Sequence, residues 1–150
     1  MHRHAPPDYD CPFCAFVRGE ERPPWNLRED VVWQDEETTA WMNPRWWENN
    51  PGNVLVIPNS HAENIFELDG SQASAVHETA RRISLAMLDA YDCDGISTRQ
   101  HNGPGADQEV WHYHLHVFPR YRGDGLYGAS ARMTEPEERR PYVERLRAAL

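Results

Sequence analysis

The stretch from Trp111 to Phe118 carries a histidine at every second position, and it constrains the fold more than any other part of the chain. Side chains of a β-strand alternate between its two faces, so the histidines share one face and the residues between them share the other. The histidines are His112, His114 and His116, and the residues between them are Tyr113, Leu115 and Val117. Packing needs one apolar face and gives no reason for three imidazoles on the other. The pattern therefore predicts a strand that carries a chemical site and ends at Pro119-Arg120.

The composition indicates one globular domain. The chain has 150 residues, of which 26% are charged and 39% are hydrophobic, which suffices for a core without crosslinks. No apolar run approaches the roughly 20 residues of a membrane span. The first seven residues lack the apolar core of a signal peptide, so we expect a cytoplasmic protein with no membrane partner.

The charge limits the possible partners. The formal net charge is −9, with 24 acidic and 15 basic residues, which argues against nucleic acid or an anionic membrane as partner. A small phosphorylated ligand stays possible, because local dipoles and a few cations can hold it. All 15 basic residues are arginine, so covalent catalysis through lysine is excluded.

The cysteines are Cys11, Cys14 and Cys93, and this odd number speaks against a disulfide framework. The Cys11-Pro12-Phe13-Cys14 motif has three interpretations. A redox pair would need a strand before it, and only a short polar segment precedes it. The cysteines could also be ordinary core residues. The third interpretation is half of a zinc site, completed by some of the eight histidines.

The rest of the chain predicts an α+β fold with a five-stranded antiparallel sheet. Residues 1–10 are expected to be a poorly ordered leader, and residues 11–150 a single domain. Strands are expected at residues 30–34, 38–42, 53–58, 96–101 and 111–118. One long helix should begin at Asp69 or Ser71 and end before Gly95. A final helix should follow a capping box of Thr134 and Glu137. Residues 43–52, 102–109 and 120–131 are expected to be loops.

The histidine strand allows two kinds of chemistry. All three imidazoles could bind a catalytic metal with one open position. Alternatively, one neutral imidazole is a nucleophile toward phosphorus, with its second nitrogen held as N–H by an acceptor such as a backbone carbonyl. The glycine-bearing loop before the strand could present backbone N–H groups to an anion, or could simply be a hairpin turn.

The run from His112 to Phe118, with Gln108 before it and Pro119-Arg120 after it, resembles the signature of the histidine triad (HIT) family. Four other stretches fit the family in order. They are residues 11–14 with Gly19-Glu20, residues 35–43, residues 52–58 with His61, and Asn102-Gly103. The resemblance spans about residues 11–122. It implies a HIT-like fold of five antiparallel strands, one long helix and a C-terminal helix, paired into a homodimer.

The resemblance also implies an activity. HIT enzymes hydrolyse or transfer nucleotidyl groups at the α-phosphate of nucleoside phosphoramidates or dinucleoside polyphosphates. By position, His114 resembles the family nucleophile, and His116 and Gln108 resemble groups that hold phosphate oxygens. The positions that resemble the nucleotide-binding residues of the family are Pro12, Phe13, Trp41 and Leu55 for the base, Asn43 for the ribose, and Asn102 and Gly103 for the phosphate loop.

In zinc-bearing bacterial members of the family, two N-terminal cysteines join two histidines around one metal ion. The matching residues here are Cys11, Cys14, His61 and His112, so the resemblance implies a closed structural zinc site. The first histidine of the triad would then serve the fold, and the other two the chemistry.

Three residues depart from the family pattern. Glu109 stands where serine or threonine usually follows the glutamine, Asn43 where an aspartate commonly receives the ribose, and Asn53 where a histidine is common. These departures leave the substrate open. Two other functions compete with the hydrolase or transferase: a nucleotide-binding protein with little turnover, and a metallohydrolase with all three histidines on a metal.

Overall fold

The computed structural model describes residues 2–150. Within them the chain forms three α-helices and seven strands. In chain order they are α1 (Pro12–Val17), β1 (Val31–Gln34), β2 (Thr38–Met42), β3 (Arg45–Trp47), β4 (Val54–Pro58), α2 (Gly70–Tyr91), β5 (Gly95–Arg99), β6 (Leu115–Arg120), β7 (Ala131–Met133) and α3 (Pro136–Ala149). No helix of residues 2–150 is long and apolar enough to cross a bilayer.

Five strands form one antiparallel sheet in the order β1-β2-β4-β6-β5. The predicted α+β fold with a five-stranded antiparallel sheet is confirmed. The histidine strand β6 lies between β4 and β5, so the strand that carries the site is held by hydrogen bonds on both sides.

Both faces of the sheet are covered, which explains why β2 and β4 are buried at every position. Helices α2 and α3 cover one face, whose residues are Val32, Ala40, Met42, Val54, Val56, Leu115 and Val117. Helix α1 covers part of the other face, where Trp41, Leu55 and Ile57 pack with Phe13 and Phe16. The remainder of that second face is left for the site.

The histidine strand is shifted relative to the prediction. Regular pairing begins at Leu115, so His112 and His114 lie in the segment that leads into β6, and the strand continues through Pro119. Proline is tolerated there because of which side its backbone faces. The N–H of Asp94 donates to Arg120 O, so the backbone of Pro119 faces the other side, where pairing with β4 has already ended at Val117.

The tryptophan-rich segment 43–52 and residues 120–131 were expected to be loops, and this expectation is wrong in part. Strand β3 pairs with β7 to form a second, two-stranded sheet. Trp46 is buried in the core against Tyr142, with ring centroids 4.9 Å apart. Trp47 faces the cavity described below. The two strands are distant in sequence, so no local pattern reveals their pairing.

The helix caps match the prediction for α2 and differ by one residue for α3. Asp69 caps α2 in a capping box with Gln72. The box of α3 is formed by Glu135 and Glu138. The hydroxyl of Thr134 instead donates to Pro44 O at 2.7 Å, which ties the start of α3 to the segment before β3.

Residues 2–10 contain no helix or strand, and several of their groups contact the body of the protein. The backbone N–H of His4 donates to Glu63 Oε1 at 2.5 Å, and that of Ala5 donates to Oε2 at 3.2 Å. The His4 ring stacks on Trp111. The division into a leader and one domain stays a prediction.

Candidate active site and metal centre

Cys11, Cys14, His61 and His112 converge beside α1, with one ligand atom of each lying within 4.8 Å of all the others. Four of the distances between these ligand atoms match the distances expected between atoms bound to one ion. The Sγ–Nδ1 distances are 3.4 Å for Cys11–His112, 3.3 Å for Cys14–His61 and 3.5 Å for Cys14–His112, and the two Nδ1 atoms are 3.2 Å apart. Zinc with bonds of about 2.0–2.3 Å in a tetrahedron sets its ligands about 3.3–3.8 Å apart. The residues therefore fit a zinc ion.

Local structure brings these ligands together. Cys11 caps α1, and its Sγ accepts the N–H of Cys14, so one turn presents both thiols. His61 follows the end of β4 at Pro58. His112 is fully buried, and its Nε2 lies 2.8 Å from Pro58 O. That carbonyl accepts the Nε2 proton, so the Nδ1 lone pair faces the two thiols.

A cavity of about 500 Å³ opens on the same face of the sheet. Pro12, Phe13 and Leu55 form an apolar part of its wall, and His114 and His116 lie side by side in it, with ring centroids 5.3 Å apart. The Phe13 ring meets both His112 and His114 edge-on, at 5.9 and 5.4 Å. The cysteine–histidine cluster and the cavity therefore share the Phe13 wall.

His114 is held in one tautomer. Its Nδ1 lies 2.7 Å from the carbonyl oxygen of His112, so Nδ1 carries the proton and Nε2 keeps a lone pair on the cavity side. Burial lowers the pKa of His114 to about 4, and the ring is therefore neutral at neutral pH. A neutral imidazole with a free Nε2 lone pair is a nucleophile or a base.

His116 is also kept neutral. Burial, assisted by the neighbouring His114, lowers its pKa well below the usual value. Its Nδ1 is buried and has no hydrogen-bond partner among the described residues. The ring stacks on Phe118 at 5.8 Å between centroids, which fixes its orientation.

The structure brings together six of the sequence-predicted catalytic and nucleotide-binding residues. Those that line the cavity are Pro12, Phe13, Asn43, Leu55, His114 and His116. Trp41 does not line it: the side chain is fully buried behind the wall, and the Phe13 ring packs edge-on against it at 5.0 Å. Trp41 therefore supports the cavity wall and does not form its surface.

Gln108, Asn102 and Gly103 also lie outside the cavity lining. The Gln108 amide donates to Glu63 O at 2.6 Å and to Val110 O at 3.0 Å, and its Oε1 accepts the N–H of Gly103. Its hydrogen-bonding groups thus hold the loop before β6. Asn102 likewise accepts from the backbone N–H of Ile65.

Several cavity residues were not predicted as site residues, notably Arg99, His101, Trp47 and Arg45. Two of them carried a signal in the sequence. Arg99 and His101 are alternate residues of the predicted strand 96–101, so they share one face next to the histidine strand. The Nδ1 of His101 is 2.7 Å from Ala106 O, which fixes its tautomer much as in His114.

Comparison with known proteins identifies the family. The HIT domain model matches residues 26–123. Protein hit of Bacillus subtilis is 33% identical over 118 residues, which cover 78% of this chain and 76% of that protein. Adenylylsulfatase HINT3 of Arabidopsis thaliana is 31% identical over 122 residues, which cover 81% of this chain and 58% of that protein.

The fold and the cysteine–histidine cluster agree with this assignment. A crystal structure of a Zn-bound histidine triad family protein from Mycobacterium smegmatis matches with a TM-score of 0.77 and 29% identity, covering 93% of this chain and 92% of that chain. With this structural match, the domain match and a relative at 33% identity, the chain belongs to the histidine triad family and is similar to its zinc-bearing bacterial members.

Proposed function

We propose that this protein is a nucleotide hydrolase or nucleotidyltransferase, with His114 as its nucleophile. It acts at the α-phosphate of nucleoside phosphoramidates or dinucleoside polyphosphates. The observation that carries the proposal is the hydrogen bond from His114 Nδ1 to His112 O, which leaves the Nε2 lone pair of a neutral ring free on the cavity side.

The reaction has two displacements. The Nε2 lone pair of His114 forms a bond to the α-phosphorus, and the bond from phosphorus to the leaving group breaks with its electron pair on the leaving group. An amine leaving group takes up a proton from solvent as this bond breaks, so that it departs as the neutral amine. Water or another acceptor then attacks the phosphorus, gives up a proton, and displaces the neutral imidazole. His116 lies beside His114 and donates a hydrogen bond to a phosphate oxygen.

The nucleoside occupies the apolar side of the cavity. Pro12, Phe13 and Leu55 contact the base, while Trp41 keeps the Phe13 ring in place from behind. Asn43 contacts the ribose. Its Oδ1 already accepts the N–H of Arg45 at 3.0 Å, so its amide hydrogens remain for a ribose oxygen.

Gln108, Asn102 and Gly103 were expected to act on phosphate directly. Because both amide hydrogens of Gln108 are donated to backbone carbonyls, we assign this residue the positioning of the loop before β6. Asn102 and Gly103 belong to the same hydrogen-bonded loop.

A structural zinc ion is held by Cys11, Cys14, His61 and His112 in this proposal. It pins α1 beside the segment that carries His114. The third hypothesis, a catalytic metal on all three triad histidines, is disfavoured because His112 Nδ1 faces the thiols and its Nε2 is bonded to Pro58 O.

We also propose a homodimer in which the β5 edges of two sheets pair. The opposite edge is occupied, because Arg147 of α3 donates to Val31 O of β1 at 2.9 Å. At the outer edge of residues 96–98, no hydrogen bond from another described residue covers the backbone. Such an edge accepts a further strand.

The direct test is capture of the covalent intermediate. Wild-type protein is mixed with an adenosine phosphoramidate, quenched in alkali to spare the P–N bond, digested and analysed by mass spectrometry. We expect an adenylyl group on the peptide that contains His114. Turnover without any such adduct under single-turnover conditions would contradict the nucleophile assignment.

Glu109 favours a second candidate, a nucleotide-binding protein with little turnover. Its carboxylate lines the cavity and lies 3.3 Å from Arg45. A negative charge near a phosphate weakens binding, and an ion pair as exposed as this one offsets only part of that repulsion. Steady-state assays on an AMP phosphoramidate and a diadenosine polyphosphate separate the two functions, since the binding protein would hold AMP and turn over neither compound.

A further inference from the structure

The cavity has an apolar end and a cationic end, with the histidines between them. Strand register puts Leu55 opposite His116, and His116 opposite Arg99. Paired residues of neighbouring antiparallel strands share a face of the sheet. The row therefore runs from Leu55 on the base side, across His116, to Arg99 on the far side.

The Arg99 side chain is positioned by two aromatic rings but has no ion-pair partner among residues 2–150. Its guanidinium lies 5.0 Å from the centroid of the Trp47 ring and 4.9 Å from that of Phe118. Its Nε is buried without a hydrogen-bond partner, and no ion pair involves it among residues 2–150. Burial lowers the pKa of Arg99, as does the positive charge of Arg45, although an arginine this basic stays protonated.

The carboxylates that line the same cavity do not neutralise this charge. Glu109 is 75% exposed at its side chain and is already paired with Arg45. Asp107 is exposed on the loop before β6. An exposed, solvated carboxylate has a weaker field than a partly buried cation such as Arg99. Within the cavity, the partly desolvated and unpaired charge is therefore positive.

We propose that Arg99 binds the leaving group, and that this group is a tetrahedral oxyanion, a phosphate or a sulfate, rather than an amine. The inference rests on the proposed function, since it names the substrate class of the same site. It follows from the position of Arg99 on the far side of the reactive histidines from the base. A guanidinium suits an oxyanion, which can accept two parallel hydrogen bonds from it, and repels a protonated amine.

The chemistry of departure agrees with this choice. When His114 Nε2 bonds to phosphorus, the bridging P–O bond breaks and its electron pair stays on the bridging oxygen. Negative charge grows on that oxygen and spreads over the leaving phosphate or sulfate, and no proton is needed for it to depart at neutral pH. A fixed cation on that side stabilises the growing charge.

The test compares substrates that share adenosine and the α-phosphate. The leaving groups are sulfate in adenylyl sulfate, ADP in diadenosine triphosphate, and an amine in an adenosine phosphoramidate. We expect Arg99→Met to lower kcat/KM for one or both oxyanion substrates by about 100-fold, and for the phosphoramidate by less than about threefold. The oxyanion that loses more is the preferred leaving group.

Two variants serve as controls. Arg99→Lys keeps the charge but not the paired donors, so we expect it to recover part of the lost activity. Arg22→Met removes another arginine of the cavity lining, one already paired with Asp10 at 2.8 Å. We expect Arg22→Met to change all three substrates to the same extent. Turnover of the phosphoramidate by Arg99→Met also shows that the variant is folded.

An equal loss on all three substrates, or no loss on any, would overturn the inference and leave the proposed function intact. If the wild type turns over none of them, the proposed function fails and binding decides the inference. His114→Ala protein is then titrated with AMP and ADP. We expect ADP to bind about tenfold more tightly, with the difference lost when Arg99→Met is added. Equal affinities would refute the inference.

Discussion

His112 and His114 are two residues apart, and they use opposite ring nitrogens. His112 donates Nε2–H to Pro58 O and turns Nδ1 toward two thiols. His114 donates Nδ1–H to His112 O and leaves Nε2 on the cavity side. In both residues a backbone carbonyl accepts one ring N–H and thereby fixes the tautomer.

The surroundings separate the two sites. The Nδ1 atom of His112 lies 3.2–3.5 Å from the other three members of the cysteine–histidine cluster, so that site is closed. The free nitrogen of His114 faces a cavity of about 500 Å³. The comparison teaches that a residue's function depends on what converges on its free nitrogen, which a sequence pattern alone does not reveal.

The largest expected effect comes from removing the open site. His114→Ala should lower turnover of a nucleoside phosphoramidate by about ten-thousand-fold, because no other group forms the covalent bond. AMP affinity, zinc content and the melting temperature should stay near those of the wild type. Steady-state kinetics, calorimetry and thermal unfolding measure these quantities. A variant that retains normal turnover would contradict the assignment.

Removing a thiol of the cysteine–histidine cluster should have the opposite effect, a large loss of stability with little change in nucleotide binding. Cys14→Ser should lose zinc and melt roughly 10 °C or more below the wild type, because a structural zinc contributes several kcal/mol to folding. AMP affinity, measured well below the melting temperature, should change far less. Cys93→Ser is the matched control, since Cys93 lies outside the cluster. Zinc-free wild-type protein with unchanged melting would defeat this prediction.

Chelation tests whether the metal stabilises the fold or takes part in the reaction. If the metal serves the fold alone, a strong chelator should lower the melting temperature about as much as Cys14→Ser does, and activity should be lost only at temperatures where the helical circular dichroism is lost as well. Activity that disappears while the protein stays folded would support a metallohydrolase instead. Renewed activity after addition of zinc to refolded protein is the control.

The smallest effect is expected for Asn43, a polar residue of the cavity wall. Asn43→Asp should raise affinity for AMP roughly threefold to tenfold, because the second carboxylate oxygen accepts a charge-assisted hydrogen bond from a ribose hydroxyl, where the Asn43 amide only donates to a ribose oxygen. The gain should be smaller for 2′-deoxy-AMP, which has one ribose hydroxyl fewer. Equal gains for both nucleotides would show that Asn43 does not contact the 2′-hydroxyl.

The parts of the fold that depend on local periodicity could be predicted from the sequence. The side-chain alternation of β6, the buried run of β4 and the Asp69 cap of α2 each depend on neighbours in the chain. The start of β6 at Leu115 differs from the predicted strand over residues 111–118. The pairing of β3 with β7 could not be predicted, because it joins segments with no shared periodicity.

Some features of the candidate site could likewise be predicted from the sequence, and others could not. The members of the cysteine–histidine cluster follow from residue type and from the family resemblance, and the structure brings them together. The position of Arg99 depends on strand register, which puts it opposite His116. The hydrogen bonds of Gln108 to Glu63 O and Val110 O depend on tertiary contacts that no sequence motif encodes.

The carbonyl of His112 links the two sites through a single peptide unit. The ring of this residue belongs to the cysteine–histidine cluster, and its own carbonyl oxygen accepts the Nδ1 proton of His114. Spacing between the two residues is therefore fixed from both ends. An inserted residue there would rotate the His114 ring off its acceptor and away from the cavity. Divergence among proteins built this way is thus expected in the walls of the pocket, while the chain length between these two histidines stays constant.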